Sequence, residues 1–262
     1  MMISDWDMTP VKGGSGNAYK GIVDNQTVFI KRNASPLLTS IYLEGITPKV
    51  LWNKRTSTGD MLSAQPWIEG HTLSTSEMSD TQINQILVHL HRSQKLVDSY
   101  KKLGNRIYGP EELLNQLVEE APVVSNNRYL VDIIEEMRQN LPVFYEREAT
   151  VVHGDVNHRN WLKDEENGKI YLVDWDIAFL GDPMIDVAYI LVHYISPGEW
   201  SRWLSYSGFQ SYKRILEKIF WYGKLSFLRQ IAEYLKQSNT QGANQEILWL
   251  RKFCEYEKNH KN

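Results

Sequence analysis

Two short apolar runs that read as buried strands end in groups that a buried strand does not tolerate. The first opens "VVHGDVNHRNWL" (151–162), where a β-branched pair gives way to two histidines, an arginine, an aspartate and two asparagines. The second is "YLVDWDIAF" (171–179), with Asp174 and Asp176 inside an apolar stretch. Ionised carboxylates in such places are costly unless an opposite charge meets them. The fold must therefore bring both strand ends to a place where a charged ligand can sit.

Composition narrows the choice. With 262 residues, 42% of them hydrophobic and 23% charged, the chain has the make-up of a globular protein with one large domain or two modest lobes. A formal net charge of −3 provides no basic stripe for a nucleic-acid backbone. The single cysteine, Cys254, excludes an intramolecular disulfide and a thiolate metal cluster and points to a reducing compartment. The N-terminus lacks the pattern of a signal peptide, and no apolar stretch approaches the roughly 18 residues needed to span a bilayer. The expected location is the cytoplasm.

Residues 5–31 have hairpin character. A glycine-rich bend, "KGGSGNAY", leads into "YKGIV", a polar "DNQ" turn, and the alternating strand "TVFIKR". Ser35-Pro36 signals a helix start, so "PLLTSIYLEG" predicts a helix ending at Gly45. Strands are expected in "KVLWNK" and "MLSAQPWI". Beyond residue 68 the period changes: Ile83, Ile86, Leu87 and Leu90 fall at helical spacing after a Ser79 or Asp80 cap. Helices are predicted around 111–120 and 129–140 and again from Ile185 onward. The expected fold class is α+β, with a β-rich N-lobe over 1–68 (five strands and one helix) and a helical C-lobe over 69–262, the active-site cleft between them.

Single features are ambiguous. Gly14-Ser15-Gly16 fits a phosphate-cradling turn or a plain hairpin bend, and Lys31 fits a phosphate ligand or a solvated strand-end cation. Glu44, on the predicted helix, can pair with Lys31 or stand alone at the surface. Asp155 and Asn160 carry more information. Their spacing within His153-Gly154-Asp155-(four residues)-Asn160 is that of a phosphoryl-transfer loop, where the aspartate takes the acceptor's proton and the asparagine binds metal. Asp174 ends a neighbouring strand, and an amide oxygen beside a carboxylate suits Mg²⁺. The order Gly-rich loop, strand lysine, helix glutamate, H-x-D-x4-N, D is hard to produce by accident.

"HGDVNHRN" with "LVDWD" resembles the aminoglycoside phosphotransferase and choline kinase superfamily, which shares the bilobal protein-kinase-like fold. Within it, "GGSGNAYKG", "HGDVNHRNWL" and "LVDWDIAFLGDPMIDVAY" look like the CcrZ (YtmP-like) cell-cycle regulator family. The resemblance implies ATP and Mg²⁺ as cofactors, γ-phosphoryl transfer to a small hydroxyl-bearing substrate, and a replication or cell-division protein as partner. It assigns Asp155 as base, Asn160 and Asp174 as metal ligands, and Ser15, Gly16 and Lys31, held by Glu44, to the phosphates. Gln65, Trp67 and Ile68 belong to a hinge whose backbone meets the adenine. Asp186 is expected to hold the catalytic-loop backbone, and His153 to pack beneath the loop. Asn157 stands where protein kinases carry a lysine and many relatives a histidine, so His158 is a candidate for the γ-phosphate contact.

Only seven residues separate Asp174 from Asp182 and no A-P-E follows, which leaves no room for a peptide platform. A small acceptor is expected beside Asp155. His158, Trp175 and Asp176 are its candidate contacts on the motif side, and Tyr194, Trp200 and Trp203 its aromatic walls. Asn157, His158, Arg159 and Asp176 favour a hydroxyl-rich pentose or nucleoside-like acceptor over choline or ethanolamine. A nucleotide-binding, partner-binding pseudokinase is the alternative in a different class.

Overall fold

The computed structural model describes residues 8–11, 16–206 and 212–260. Its N-terminal part is an antiparallel sheet of β1 (Met8–Pro10), β2 (Ala18–Val23), β3 (Gln26–Arg32), β4 (Trp52–Arg55) and β5 (Met61–Pro66), in the order β1-β2-β3-β5-β4. The β2–β3 turn is Asp24-Asn25, both at positive φ (50° and 62°), the conformation of a two-residue hairpin turn that short polar side chains tolerate. Alternation along β3 buries Val28 and Ile30 on one face, where they join Leu62 and Ala64 in a small core. Lys31 falls on the opposite face.

Between β3 and β4 lies α1 (Leu38–Leu43), shorter at both ends than the predicted 36–45, with Gly45 at φ +73° turning the chain away. Its buried residues, Leu38 and Ile41, do not pack on the sheet. They belong to the large core formed by everything that follows.

After β5 the chain enters β6 (Gly70–Thr72), then α2 (Thr81–Arg92) and α3 (Gln94–Lys102). Asp80 caps α2 by accepting from the Gln82 N–H at 2.9 Å, and Ile83, Leu87 and Leu90 are buried as their spacing predicts. Next come β7 (Ile107–Tyr108), α4 (Pro110–Glu120), α5 (Arg128–Gln139), β8 (Thr150–Val152), β9 (Trp161–Asp164), β10 (Ile170–Leu172) and β11 (Phe179–Gly181). The last part is helical: α6 (Met184–Tyr194), α7 (Trp200–Tyr206), α8 (Tyr212–Lys236) and α9 (Thr240–His260).

Two small sheets position the motifs. One has the order β10-β9-β6 and the other β7-β11-β8. The β9–β10 hairpin thus places the segment after β8 beside the segment after β10. The β6–β9 pairing begins at Gly70, where a Cβ would lie 2.0 Å from the Lys163 carbonyl oxygen, so only glycine permits that approach. Among the described residues, no helix is long and apolar enough to cross a membrane.

Candidate active site

The loop after β8 is held from below. Val151 and Val152 are fully buried, and so is His153, whose backbone N–H donates to Asp186 Oδ2 at 2.9 Å. The Gly154 N–H donates to Asp186 Oδ1 at 3.0 Å, and His91 Nε2 bonds the same carboxylate at 3.0 Å. Burial alone would raise the Asp186 carboxyl. The His91 hydrogen bond and charge and the His153 N–H outweigh it and hold the group below its ordinary value. Gly154 adopts φ +82°, which lets two successive N–H groups converge on one carboxylate. The His153 ring accepts from the Asp155 N–H at Nδ1 (3.3 Å), which puts its own proton on Nε2, 2.9 Å from the Val173 carbonyl oxygen. One imidazole therefore ties the loop to the end of β10.

The Asp155 carboxylate is oriented by two amides. Asn157 Nδ2 donates to Oδ1 at 2.6 Å, and Asn160 Nδ2 to Oδ2 at 3.0 Å. Asn160 Nδ2 also bonds the Asp155 carbonyl oxygen at 2.8 Å, which commits its amine and leaves Oδ1 as the group's acceptor atom. Asp174 sits just past β10 with φ +65°, a strained conformation for a non-glycine residue. Lys31 Nζ lies 2.6 Å from Asp174 Oδ1 and 2.8 Å from Asp176 Oδ2. The lysine thus faces two carboxylates of the second motif, and Glu44 is not its partner. With α1 only six residues long, Glu44 falls at its C-cap, and its Oε2 lies 3.0 Å from His89 Nε2 of α2. Asp176, expected at the acceptor, stands on the lysine side of the site.

A cleft of about 1030 Å³ opens beside Asp155, Asn160 and Asp174. Its far walls come from α4, α6, α8 and α9. His158 lines it, its N–H and Nδ1 lying 3.0 and 3.1 Å from the Tyr194 hydroxyl. Burial, helped by the neighbouring Arg159 charge, lowers the His158 imidazole below its ordinary value, so it is neutral near neutral pH. Tyr189, Arg229 and Glu246 line the same cleft. Glu246 is buried, its Oε2 has no hydrogen-bond partner among the described residues, and burial raises its carboxyl to about 7.

Residues 32–212, more than half of the chain, match the family model described as the phosphotransferase enzyme family. The chain belongs to that family. Relatives of this phosphotransferase include a protein LicA homolog of Mycoplasma capricolum, 28% identical over 81% of the chain and 84% of the relative. Acyl-CoA dehydrogenase family member 10 of Mus musculus is 29% identical over 52% of the chain, which spans only 13% of that protein's length. Among solved structures, choline kinase LicA from Streptococcus pneumoniae has the same fold, with a TM-score of 0.64, 16% identity, and coverage of 96% and 95% of the two chains. The structure of LicA in complex with AMP aligns with a TM-score of 0.61 and 16% identity, over 94% and 91% of the two chains.

Several sequence expectations for this phosphotransferase change on contact with the fold. Trp175 is core: it is buried, packs edge-on against His153 at 4.6 Å, and gives its indole N–H to the Leu172 carbonyl. Trp200 and Trp203 are also core, Trp200 donating to the Leu191 and Ile195 carbonyls that end α6. Of the proposed aromatic walls only Tyr194 reaches the cleft. In the hinge, Gln65 is buried with its Nε2 2.6 Å from the Pro48 carbonyl, and the Trp67 N–H donates to Thr27, so both brace the sheet. Ile68 lies between β5 and β6, in no strand. Gly16 takes φ +75°, whereas Ser15 lies outside the described residues. Sequence reasoning missed Tyr189, Arg229 and Glu246. The only signal for the last two was a charge interrupting the apolar period of a helix.

Proposed function

We propose that this phosphotransferase is a Mg·ATP-dependent kinase that phosphorylates a primary hydroxyl of a pentose or nucleoside-like acceptor, with Asp155 as general base. The orientation of the Asp155 carboxylate by Asn157 and Asn160, at the mouth of the cleft, carries the reading. Asp155 takes the proton as the acceptor oxygen bonds to the γ-phosphorus, and the bond to the β–γ bridging oxygen breaks to release ADP. Asn160 Oδ1 and the Asp174 carboxylate are hard oxygen donors of the kind Mg²⁺ prefers. Among the described residues no cluster of three or more His, Cys, Asp or Glu forms a cage of its own, so phosphate oxygens would complete the shell. When bound there, the metal would neutralise charge on the β- and γ-phosphates. Lys31, already turned toward the second motif, would contribute the neighbouring positive charge. We take residues 1–68 and 69–262 as the two lobes, Ile68 as the hinge residue nearest the adenine, and the cytoplasm as the site of action.

The rim supports this acceptor class. Asn157, His158 and Arg159 offer polar groups that a quaternary ammonium cannot use; the three tryptophans expected there are core, while Tyr189 and Tyr194 do line the cleft. The likeness to LicA favours choline or ethanolamine as the second reading. The CcrZ-like motifs suggest that the activity serves replication or division through a protein partner. The test is ATP consumption and product analysis with ribose, deoxyribose, nucleosides, choline and ethanolamine, with Asp155→Asn as control. Preference for a sugar or nucleoside supports the proposal, and preference for choline or ethanolamine overturns the acceptor. ATP binding with no transfer to any acceptor would favour a partner-binding role. Asp174→Ala should weaken both Mg·ATP binding and rate.

A further inference from the structure

Among the described residues the buried and half-buried cations are paired, with one exception. Lys224 lies 2.8 Å from Glu136 and 2.6 Å from Glu257, and Lys31 contacts Asp174 and Asp176. Lys218 is bonded to Asp182. Arg229, half-buried on α8 in the wall of the cleft, has no carboxylate oxygen within 4.0 Å and makes no hydrogen bond among the described residues. The acids close enough for their charge to reach it are Glu120, Asp186 and Asp155. Each has other partners. Asp186 holds His91 and two loop N–H groups, Asp155 holds two amides, and Glu120 takes the Gln116 amide at 2.7 Å. Glu233, another acid of this wall, is exposed and takes the Gln237 amide.

A guanidinium desolvated in this way, with its fork of donors unused, suits a planar or tetrahedral oxyanion. It also lies within electrostatic reach of the carboxylate that meets the acceptor hydroxyl. We propose that the acceptor carries an anionic group, carboxylate or phosphate, in addition to its hydroxyl, and that Arg229 binds that group. The inference rests on the reading of Asp155 as base and narrows the acceptor from a neutral sugar or nucleoside to an anionic relative of one. Burial holds the Arg229 pKa below the ordinary value despite the three acids, which fits a cation that lacks a close counter-charge.

The test compares pairs that share a primary hydroxyl: ribose with ribonate, and adenosine with adenosine 3′-monophosphate. The expected result is a preference of about 10- to 100-fold in kcat/KM for the anionic member of at least one pair, the size of a charged hydrogen-bonded contact. Preference within the ribonate pair identifies a carboxylate, and within the adenosine pair a phosphate. Arg229→Gln should erase the preference through KM, and Arg229→Lys should restore part of it. Calorimetry with the same four compounds on wild-type, Arg229→Gln and Asp155→Asn proteins reads the subsite without turnover. Anion-dependent binding lost in Arg229→Gln, with no acceptor phosphorylated, would sink the Asp155 reading and keep the subsite. Equal binding and turnover of neutral and anionic members, or anion binding unchanged in Arg229→Gln, overturns the subsite. The melting temperature of Arg229→Gln gives a further check: an anion subsite predicts no loss, whereas a clear fall would mark a structural ion pair and overturn the proposal.

Discussion

Asp155 is aimed by two amides, and this separates orientation from protonation. Asp155→Asn should lower kcat by about 10²–10⁴, the usual yield of a general base, and leave nucleotide affinity near wild type. Steady-state kinetics alongside a nucleotide titration checks both. Asn157→Ala should lower kcat with a smaller effect on the KM for ATP, because it frees the carboxylate to turn. The reading of Asn157 as a departure from the phosphate-contacting residue missed this role, since its partner is two residues back in the same tight turn and spacing alone does not reveal the bond. Glu246 was illegible for another reason: its surroundings are built by helices far along the chain. In the unfolded chain it titrates near 4.5, and in the fold near 7. Between these values the folded protein keeps a proton that the unfolded chain has lost. Its stability contribution is therefore complete below about pH 4.5 and is lost as the pH rises through about 7, by at most about 3 kcal/mol. Glu246→Gln should flatten that slope, with a melting temperature above wild type at about pH 8. An unchanged slope would remove Glu246 as its cause.

At the scale of elements, the sequence located α2 and α5 well and placed β2, β3 and β5, whereas β1 and β4 bury no face of their own and were legible only as part of a hairpin or by turn signals. The motif order also announced the site, since the two loop-bearing strands are brought together by a single hairpin. The aromatic run after α6 misled for a physical reason. Tryptophans in a sequence look equally suited to a core and to a groove, and here α7 buries both of its own, Trp200 against the end of α6. Gly154 belongs to this scale, because its left-handed turn joins β8 to the Asp186 clamp on α6. A Cβ at Gly154 would lie 3.1 Å from the Phe179 ring. Gly154→Ala should cost about 1–2 kcal/mol for the left-handed conformation. It should lower kcat by more than the lost stability implies, since the two N–H groups can no longer both reach Asp186. Denaturant melts paired with kinetics would show whether activity and stability separate.

At the scale of the whole molecule, one ion-pair network joins α5, α8 and α9: Lys224 between Glu136 and Glu257, with Lys224 and Glu257 both buried. Burial lowers the Lys224 pKa, but hydrogen bonds and charge from the two glutamates prevail and raise it. Lys224→Met should destabilise by about 3–5 kcal/mol, because it removes the cation shared by two carboxylates, one of them buried, and adding Glu257→Leu should recover part of that loss. A double-mutant cycle in denaturant measures the coupling. In the sequence this lysine was only a charge in "FWYGKLSFL", its partners 88 and 33 positions away.

The unequal division of the two cores bears on how the polypeptide is made. Among the described residues the N-terminal sheet closes over four buried apolar side chains, and the buried face of α1 is completed by residues from the later helices. During synthesis this sheet emerges before the helices that complete the buried face of α1, and on its own it is the part least able to hold its shape. Settling of the sheet before the helices after it appear is therefore disfavoured. The sheet must wait for its template, and the nascent chain is a natural client for holding chaperones until α2 and its neighbours emerge.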